Sequence, residues 1–183
     1  MDLVREVGYD AVAMEAIAAR AGVGKATVYR RWSGKETLIA DAIERLMRAS
    51  MPVPDTGTVA GDLGVLMHVA LGMYRDRSTG PLLSGLVAAM ARSERIALAV
   101  RSGFIATWQD AARQALEAGA ARGELRPDVD VRLAIDLLAG PFFYRFLIGG
   151  ELPDVALARD VVAAVLRAFG AAEPHPPAPD DEP

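Results

Sequence analysis

Apolar positions along the chain recur every three to four residues, and no stretch keeps the period-two alternation of a half-buried strand. The pattern predicts an all-α fold. A short helix ends before Gly8, and a second runs Ala13 to Arg20 and stops near Gly22. A third covers Lys25 to Arg31. A fourth runs Lys35 to Ser50, with Leu38, Ile39, Ala42, Ile43, Leu46 and Met47 on one stripe. Two prolines and a glycine in Met51-Pro52-Val53-Pro54-Asp55-Thr56-Gly57 then mark a boundary.

Beyond it, Thr58 is the expected N-cap of a helix to Arg77. Pro81 sits in the first turn of the next, to Ala91. A long helix from Glu94 to Arg122 closes at Gly123. Asp130 caps a helix to Ile148, which Pro141 should kink, and Pro153 opens the last, to Phe169. The tail, residues 172–183, holds five prolines and four acids and is expected to be disordered. The chain thus divides into a head (1–50), a helical body (51–171) and the tail.

Composition narrows the chemistry. With no cysteine there is no disulfide, Cys-ligated zinc or thiol nucleophile. His68 and His175 are the only histidines, too few for a multi-His metal site and poorly suited to a Ser-His-Asp triad. No cofactor or metal is expected. The most apolar stretch, Val131 to Gly150, contains Arg132, Asp136 and Arg145, which argues against a membrane span. The first residues lack a signal peptide's pattern, so a cytoplasmic location is expected.

A net charge of −4 argues, taken whole, against a nucleic-acid partner. Divided, it reads otherwise. Residues 1–50 carry eight basic and seven acidic residues; the remainder carries 12 and 17. The window Ala16 to Lys35 holds Arg20, Lys25, Arg30, Arg31 and Lys35 and no acid, the local density that phosphate binding needs. Both lysines of the chain lie in it, against 18 arginines overall. In the same window a helix, a turn at Ala21-Gly22-Val23 and a second helix have helix-turn-helix spacing. That spacing alone also fits a helical bundle that touches no nucleic acid.

The residues are more specific than the spacing. Gly8-Tyr9, Ile17-Ala18, Ala21-Gly22-Val23, Thr27-Val28-Tyr29, Trp32, and Lys35 with Leu38 together resemble the DNA-binding segment of the tetracycline-repressor (TetR) family. In the body, Arg122-Gly123-Glu124-Leu125-Arg126-Pro127-Asp128 and Leu138 to Arg145 resemble the C-terminal domain of one TetR subgroup. The match departs at two points: the first helix is cut to about seven residues, and Ala13 stands where the family often has a capping Ser or Thr.

The resemblance implies that residues 1–50 read double-stranded operator DNA and that 51–171 bind a ligand and dimerise. It places Lys25, Ala26, Thr27, Tyr29 and Arg30 on or beside the recognition helix. Lys25 suits guanine O6/N7 or a phosphate, and Ala26 suits close approach or a thymine methyl. Thr27 and Tyr29 offer hydroxyls, and Arg30 and Arg31 suit the phosphate backbone. Arg31, like Arg20, is equally compatible with a solvated surface. Lys35 is the expected phosphate contact that ties the head to the next helix. Small-molecule contacts are expected at Met67, Leu71, Tyr74, Leu86, Met90, Phe104 and Trp108, residues that equally suit plain packing. His68 is a weaker candidate.

The helix to Ile148 is apolar almost all round, and the last helix has a wide apolar stripe. A homodimer built on both, through Leu138, Phe142, Phe146, Val162, Val165 and Phe169, hides them most simply. The expected function is a ligand-responsive transcriptional regulator, a repressor of a near-palindromic operator released by a small apolar effector. Two rivals remain. An enzyme finds little support: Gly22-Val23-Gly24-Lys25-Ala26-Thr27 fails the phosphate-loop pattern at Ala19 and Ala26. The second is a helical dimeric ligand-binding protein that does not bind DNA, which the shortened first helix keeps open.

Overall fold

The computed structural model describes residues 3, 6–7, 11–35, 37–39, 41–42, 45, 52–76 and 79–171, with the side chains of 79–82 and 104 outside that description. Among the described residues there is no strand. Eight helices are labelled here: α1 Met14–Arg20, α2 Lys25–Arg31, α3 Val59–Arg75, α4 Thr79–Met90, α5 Glu94–Ala99, α6 Ala106–Ala121, α7 Val131–Phe143 and α8 Val155–Phe169. Residues 35, 37–39, 41–42 and 45 are helical too. The expected first helix and the end of the fourth fall largely outside the described residues, as does the tail. No helix among the described residues is long and apolar enough to cross a membrane.

Caps and glycines set the boundaries. The hydroxyl of Thr58 accepts from Gly61 N at 3.1 Å and starts α3. Asp130 accepts from Leu133 N at 2.9 Å and starts α7. Gly22 and Gly123 take φ of 67° and 77°, the left-handed conformation that ends α1 and α6 without a Cβ penalty. The last helix starts later than its proline suggests. Asp154, not Pro153, is the cap, accepting from Leu157 N at 2.8 Å.

The long helix expected from Glu94 to Arg122 is one helical run with a π-helical insert at Val100–Ile105 between α5 and α6. A second π-helical turn, Tyr144–Ile148, continues α7 three residues after Pro141. Proline donates no hydrogen bond into the preceding turn, and the helix runs on past it into the wider π form.

The body core forms where α3 packs on α6 and α8, and α7 on α6 and α8. Leu63, Leu66, Leu116, Leu138, Phe142 and Val165 are almost fully buried in it. The end of α8 is stapled back: Arg126 N donates to Phe169 O at 2.9 Å, and Ala171 N to Glu124 O at 3.0 Å. Two smaller cores serve the head. Met14, Ala18 and Val28 hold α1 against α2, with Ile17, Trp32 and Leu38 around them. Val12 and Ile39 are buried with Leu86, Ala89, Ile96 and Val100 of the body, so head and body share one apolar cluster.

α6 crosses the start of α3 at Gly119, where a Cβ would meet Val59 Cβ at 2.7 Å. Gly119→Ala is therefore expected to destabilise by about 1–2 kcal/mol, overpacking outweighing the gain in helix propensity. Gly72→Ala, on α3 with nothing within 4 Å of its Cβ position, is expected to be neutral or stabilising. Urea denaturation of the two variants reads the opposite signs.

Candidate nucleic-acid interface and an apolar cavity

α2 is a two-faced helix. Val28 is buried against α1, while Lys25, Ala26, Thr27, Tyr29, Arg30 and Arg31 all face solvent. Tyr29 is 47% exposed, an aromatic ring with no place in the head's core. Ala26 keeps this face low. Lys35 lies at the start of the following helical residues and is half-buried. The seven sequence-predicted residues thus lie on α2 and the start of the next helical stretch.

The charge of this face is less one-sided than its sequence window. Folding brings Glu15 of α1 to 3.6 Å from Lys25, both side chains well exposed. Such a pair contributes only about 0–1 kcal/mol and yields readily to a phosphate. Glu6 accepts from both terminal nitrogens of Arg20, which hold its carboxyl below the usual carboxylate range. Arg31 lays its guanidinium over the Trp32 ring, 4.8 Å from the centroid. Trp32 in turn donates from Nε1 to Asp41 at 3.1 Å, and Asp41 also accepts from Arg45 at 3.0 Å. The Arg45 and Trp32 hydrogen bonds keep the Asp41 carboxyl below its ordinary range. This latch fixes the end of α2 to the helical residues Asp41 and Arg45.

In the body, α3, α6 and α7, with the insert before α6, enclose a cavity of about 60 Å³, several times the space one water needs. Met67, Ala70, Met73, Tyr74, Ile105, Trp108, Gln109, Ala139, Phe142 and Phe143 line it. Tyr74 sits in an aromatic box, its centroid 5.8 Å from Phe142, 6.0 Å from Phe143 and 5.2 Å from Phe146. Burial pushes its phenol pKa well up, so the hydroxyl stays protonated. Trp108 Nε1 is buried and has no hydrogen-bond partner among the described residues. An orphaned buried donor costs about 1–3 kcal/mol. Met73 and Ile105 line this cavity and also pack against the cluster that holds Val12 and Ile39 of the head.

Comparison with known proteins now bears on the whole chain. Residues 1–42 match the family described as bacterial regulatory proteins, tetR family, and residues 53–165 the tetracyclin repressor-like C-terminal domain. The HTH-type transcriptional regulator YdeS of Bacillus subtilis is 37% identical over 161 residues, covering 88% of this chain and 81% of YdeS. The chain belongs to the TetR family of transcriptional regulators. The DNA-binding transcriptional repressor TetR of Mycobacteroides abscessus is 32% identical, covering 90% of this chain and 88% of that one. The crystal structure of the TetR-family regulator SCO0332 superposes with a TM-score of 0.77 at 29% identity, covering 91% of each chain. The protein is accordingly a DNA-binding regulator and not an enzyme.

Within this TetR-family body the expected ligand residues separate. Met67, Tyr74 and Trp108 line the cavity. Leu71 is buried core and edges a second groove between α3 and α8, which His68 also lines. Leu86 and Met90 belong to the cluster joining head and body, not to the cavity. Phe104's side chain lies outside the described residues. Ala70, Gln109 and Ala139 were not anticipated: small or polar residues on a helix carry no sequence signal for a cavity wall.

The expected dimer residues mostly face the chain's own interior. Leu138, Phe142, Val162, Val165 and Phe169 are buried inside the chain's own core, and Phe146 packs half-buried on it. The apolar side chains α7 and its π-turn leave outside are Leu133 (47% exposed), Leu137 (43%), Tyr144 (65%) and Ile148 (73%). With exposed Gly140 between them, their spacing of three and four residues makes one continuous stripe.

Proposed function

We propose that this regulator is a homodimeric repressor of a near-palindromic operator, released when a small apolar effector enters the cavity between α3, α6 and α7. The observation that carries the reading is the shared role of Met73 and Ile105. A ligand that pushes these two outward presses on the cluster that seats Val12 and Ile39 of the head. Effector and operator are then coupled through contiguous packing, and binding of one weakens the other reciprocally. The stripe on α7, with Val155 opening α8, is the dimer face, covering apolar surface that a monomer leaves to water.

In this reading Lys25, Ala26, Thr27, Tyr29 and Arg30 meet base edges and phosphates, while Arg31 and Lys35 meet phosphates. The acidic body discourages non-specific binding and leaves attraction to the paired heads. Fluorescence anisotropy with DNA from upstream of the protein's own gene tests the proposal. A salt-sensitive complex that cavity-filling Ala139→Phe makes insensitive to effector supports it. The absence of any salt-sensitive complex overturns it, in favour of a ligand-binding dimer without DNA.

Lys35→Ala is expected to weaken binding to operator and random DNA alike. It should make the log K against log salt slope shallower by about 0.9, the value of one phosphate contact. An unchanged slope removes the phosphate assignment.

A further inference from the structure

The cavity's polar atoms are few. Apart from helix backbone, already engaged along its own ladders, the lining offers Trp108 Nε1, the Tyr74 hydroxyl and the Gln109 amide. None of the lining side chains is charged, and the rest are Met, Ala, Ile and Phe. An indole N–H only donates, and this one is buried without an acceptor among the described residues. The walls beside it are mostly thioether, methyl and ring carbon, and the two acceptors among them, the Gln109 amide and the Tyr74 hydroxyl, do not reach it. The Tyr74 hydroxyl makes no hydrogen bond among the described residues, and its ring is clamped edge-on by phenylalanines.

From this we infer that the effector is a neutral, single-ring aromatic molecule carrying a hydrogen-bond acceptor, typically a carbonyl oxygen, which takes the Trp108 Nε1–H. The inference rests on the reading of the cavity as the effector site and adds its chemical class. Three features select that class. The phenylalanine and tyrosine rings favour an aromatic body through edge-to-face contacts. The orphaned indole donor discriminates against a ligand that leaves it unpaired. Among the described residues no cation lines the cavity, so a carboxylate would be desolvated against neutral donors alone and is disfavoured. The volume of about 60 Å³ is less than half that of a benzene-binding cavity, so it holds the ligand to one ring at most, admitted as Met67 and Met73, the adaptable part of the wall, give way.

Three matched probes test it on the full chain by isothermal titration: acetophenone, isopropylbenzene and benzoate. They share a ring and nearly a shape, and differ in acceptor and charge. Acetophenone is expected to bind about tenfold more tightly than isopropylbenzene, and benzoate at least about tenfold more weakly than acetophenone. Trp108→Phe should keep isopropylbenzene binding and bring the first ratio close to one. The two tryptophans give two indole ¹⁵N–¹H resonances, so no variant is needed for a second readout. Acetophenone should move the Trp108 signal downfield and leave that of Trp32, already bonded to Asp41, in place.

Two outcomes overturn the inference and separate it from the reading beneath it. If isopropylbenzene binds, Ala139→Phe abolishes that binding, and acetophenone has no advantage, the cavity is the effector site and the ligand class is wrong. If none of the three probes binds, the cavity falls as an effector site and the class falls with it.

Discussion

Asp62→Ala is expected to destabilise the protein by about 3 kcal/mol, the largest loss for any single polar side chain of the body. Asp62 is the one buried charged residue among those described, 1% exposed in the first turn of α3. Its Oδ1 accepts from the backbone N of Thr56 at 2.7 Å and from the Thr56 hydroxyl at 2.8 Å. Its Oδ2 accepts from Arg122 Nη2 at 3.5 Å. Arg122 also donates to Glu124, and Glu124 accepts from Val59 N at 2.8 Å. The Arg122 hydrogen bond, followed by that from Val59, holds the Glu124 carboxyl below the usual range.

The network ties the segment before α3 to the end of α6, two points 60 residues apart in the chain. Removing Asp62 takes the acceptor from Thr56 N, leaves the Thr56 hydroxyl only Thr58 O, and leaves Arg122 with a single carboxylate. At about 2–4 °C per kcal/mol for a chain of this size, the melting midpoint should fall by about 6–12 °C. Circular dichroism at one fixed protein concentration checks it, since the proposed dimer would make the midpoint concentration-dependent. Asp128→Ala, on an exposed carboxylate, is the neutral comparison. A shift under about 2 °C for Asp62→Ala would show that the ion network is replaceable by water.

This network also marks the limit of what the sequence discloses. Arg122-Gly123-Glu124-Leu125 is recognisable as a family resemblance, and Gly123 as a helix stop. Nothing local joins Arg122 to an aspartate sixty positions earlier. The same boundary runs through the rest of the molecule. Thr58, Asp130, Gly22 and Gly123 were legible because capping and left-handed turns are decided within four residues. The α1–turn–α2 head was legible because its whole pattern, from Ile17 to Leu38, is carried by near neighbours. The π-helical insert at 100–105 was not, because the apolar spacing there suits a regular helix equally well.

The cavity wall and the exposed stripe of α7 were half legible, for one physical reason. On a helix that is apolar all round, periodicity says that every face is covered but not by what. Leu133 and Leu137 point outward, while Ala134, Ile135 and Leu138, their immediate neighbours, point into the core. The side chains chosen from sequence as the interface lie on the faces of α7 and α8 that meet the chain's own core, and their size does not set them apart from the exposed Leu133, Leu137 and Tyr144. Likewise Met67, Tyr74 and Trp108 were found by size and adaptability. Gln109 and Ala139 enter the cavity wall only through the crossing of α6 and α7.

Leu137→Glu is therefore expected to leave each subunit folded and to abolish the dimer. Leu137 is 43% exposed and takes no part in the core, so the substitution opens no internal cavity. In a twofold interface the stripe meets its own copy, and each dimer acquires two carboxylates facing apolar surface. Their desolvation, several kcal/mol each before relaxation, has no cation on the stripe to offset it. Light scattering should then report about 19.4 kDa in place of twice that value. The operator complex should weaken by about a hundredfold or more, since two heads about 34 Å apart bind as a unit and a single short recognition helix binds weakly. Random DNA, which each head grips through phosphates alone, should lose far less, so the ratio of specific to non-specific affinity is the quantity to follow. A variant that remains dimeric with unchanged operator affinity would place the stripe against solvent, and the dimer face would then have to be sought elsewhere, beginning with the α3–α8 groove lined by Gly64, His68 and Arg159.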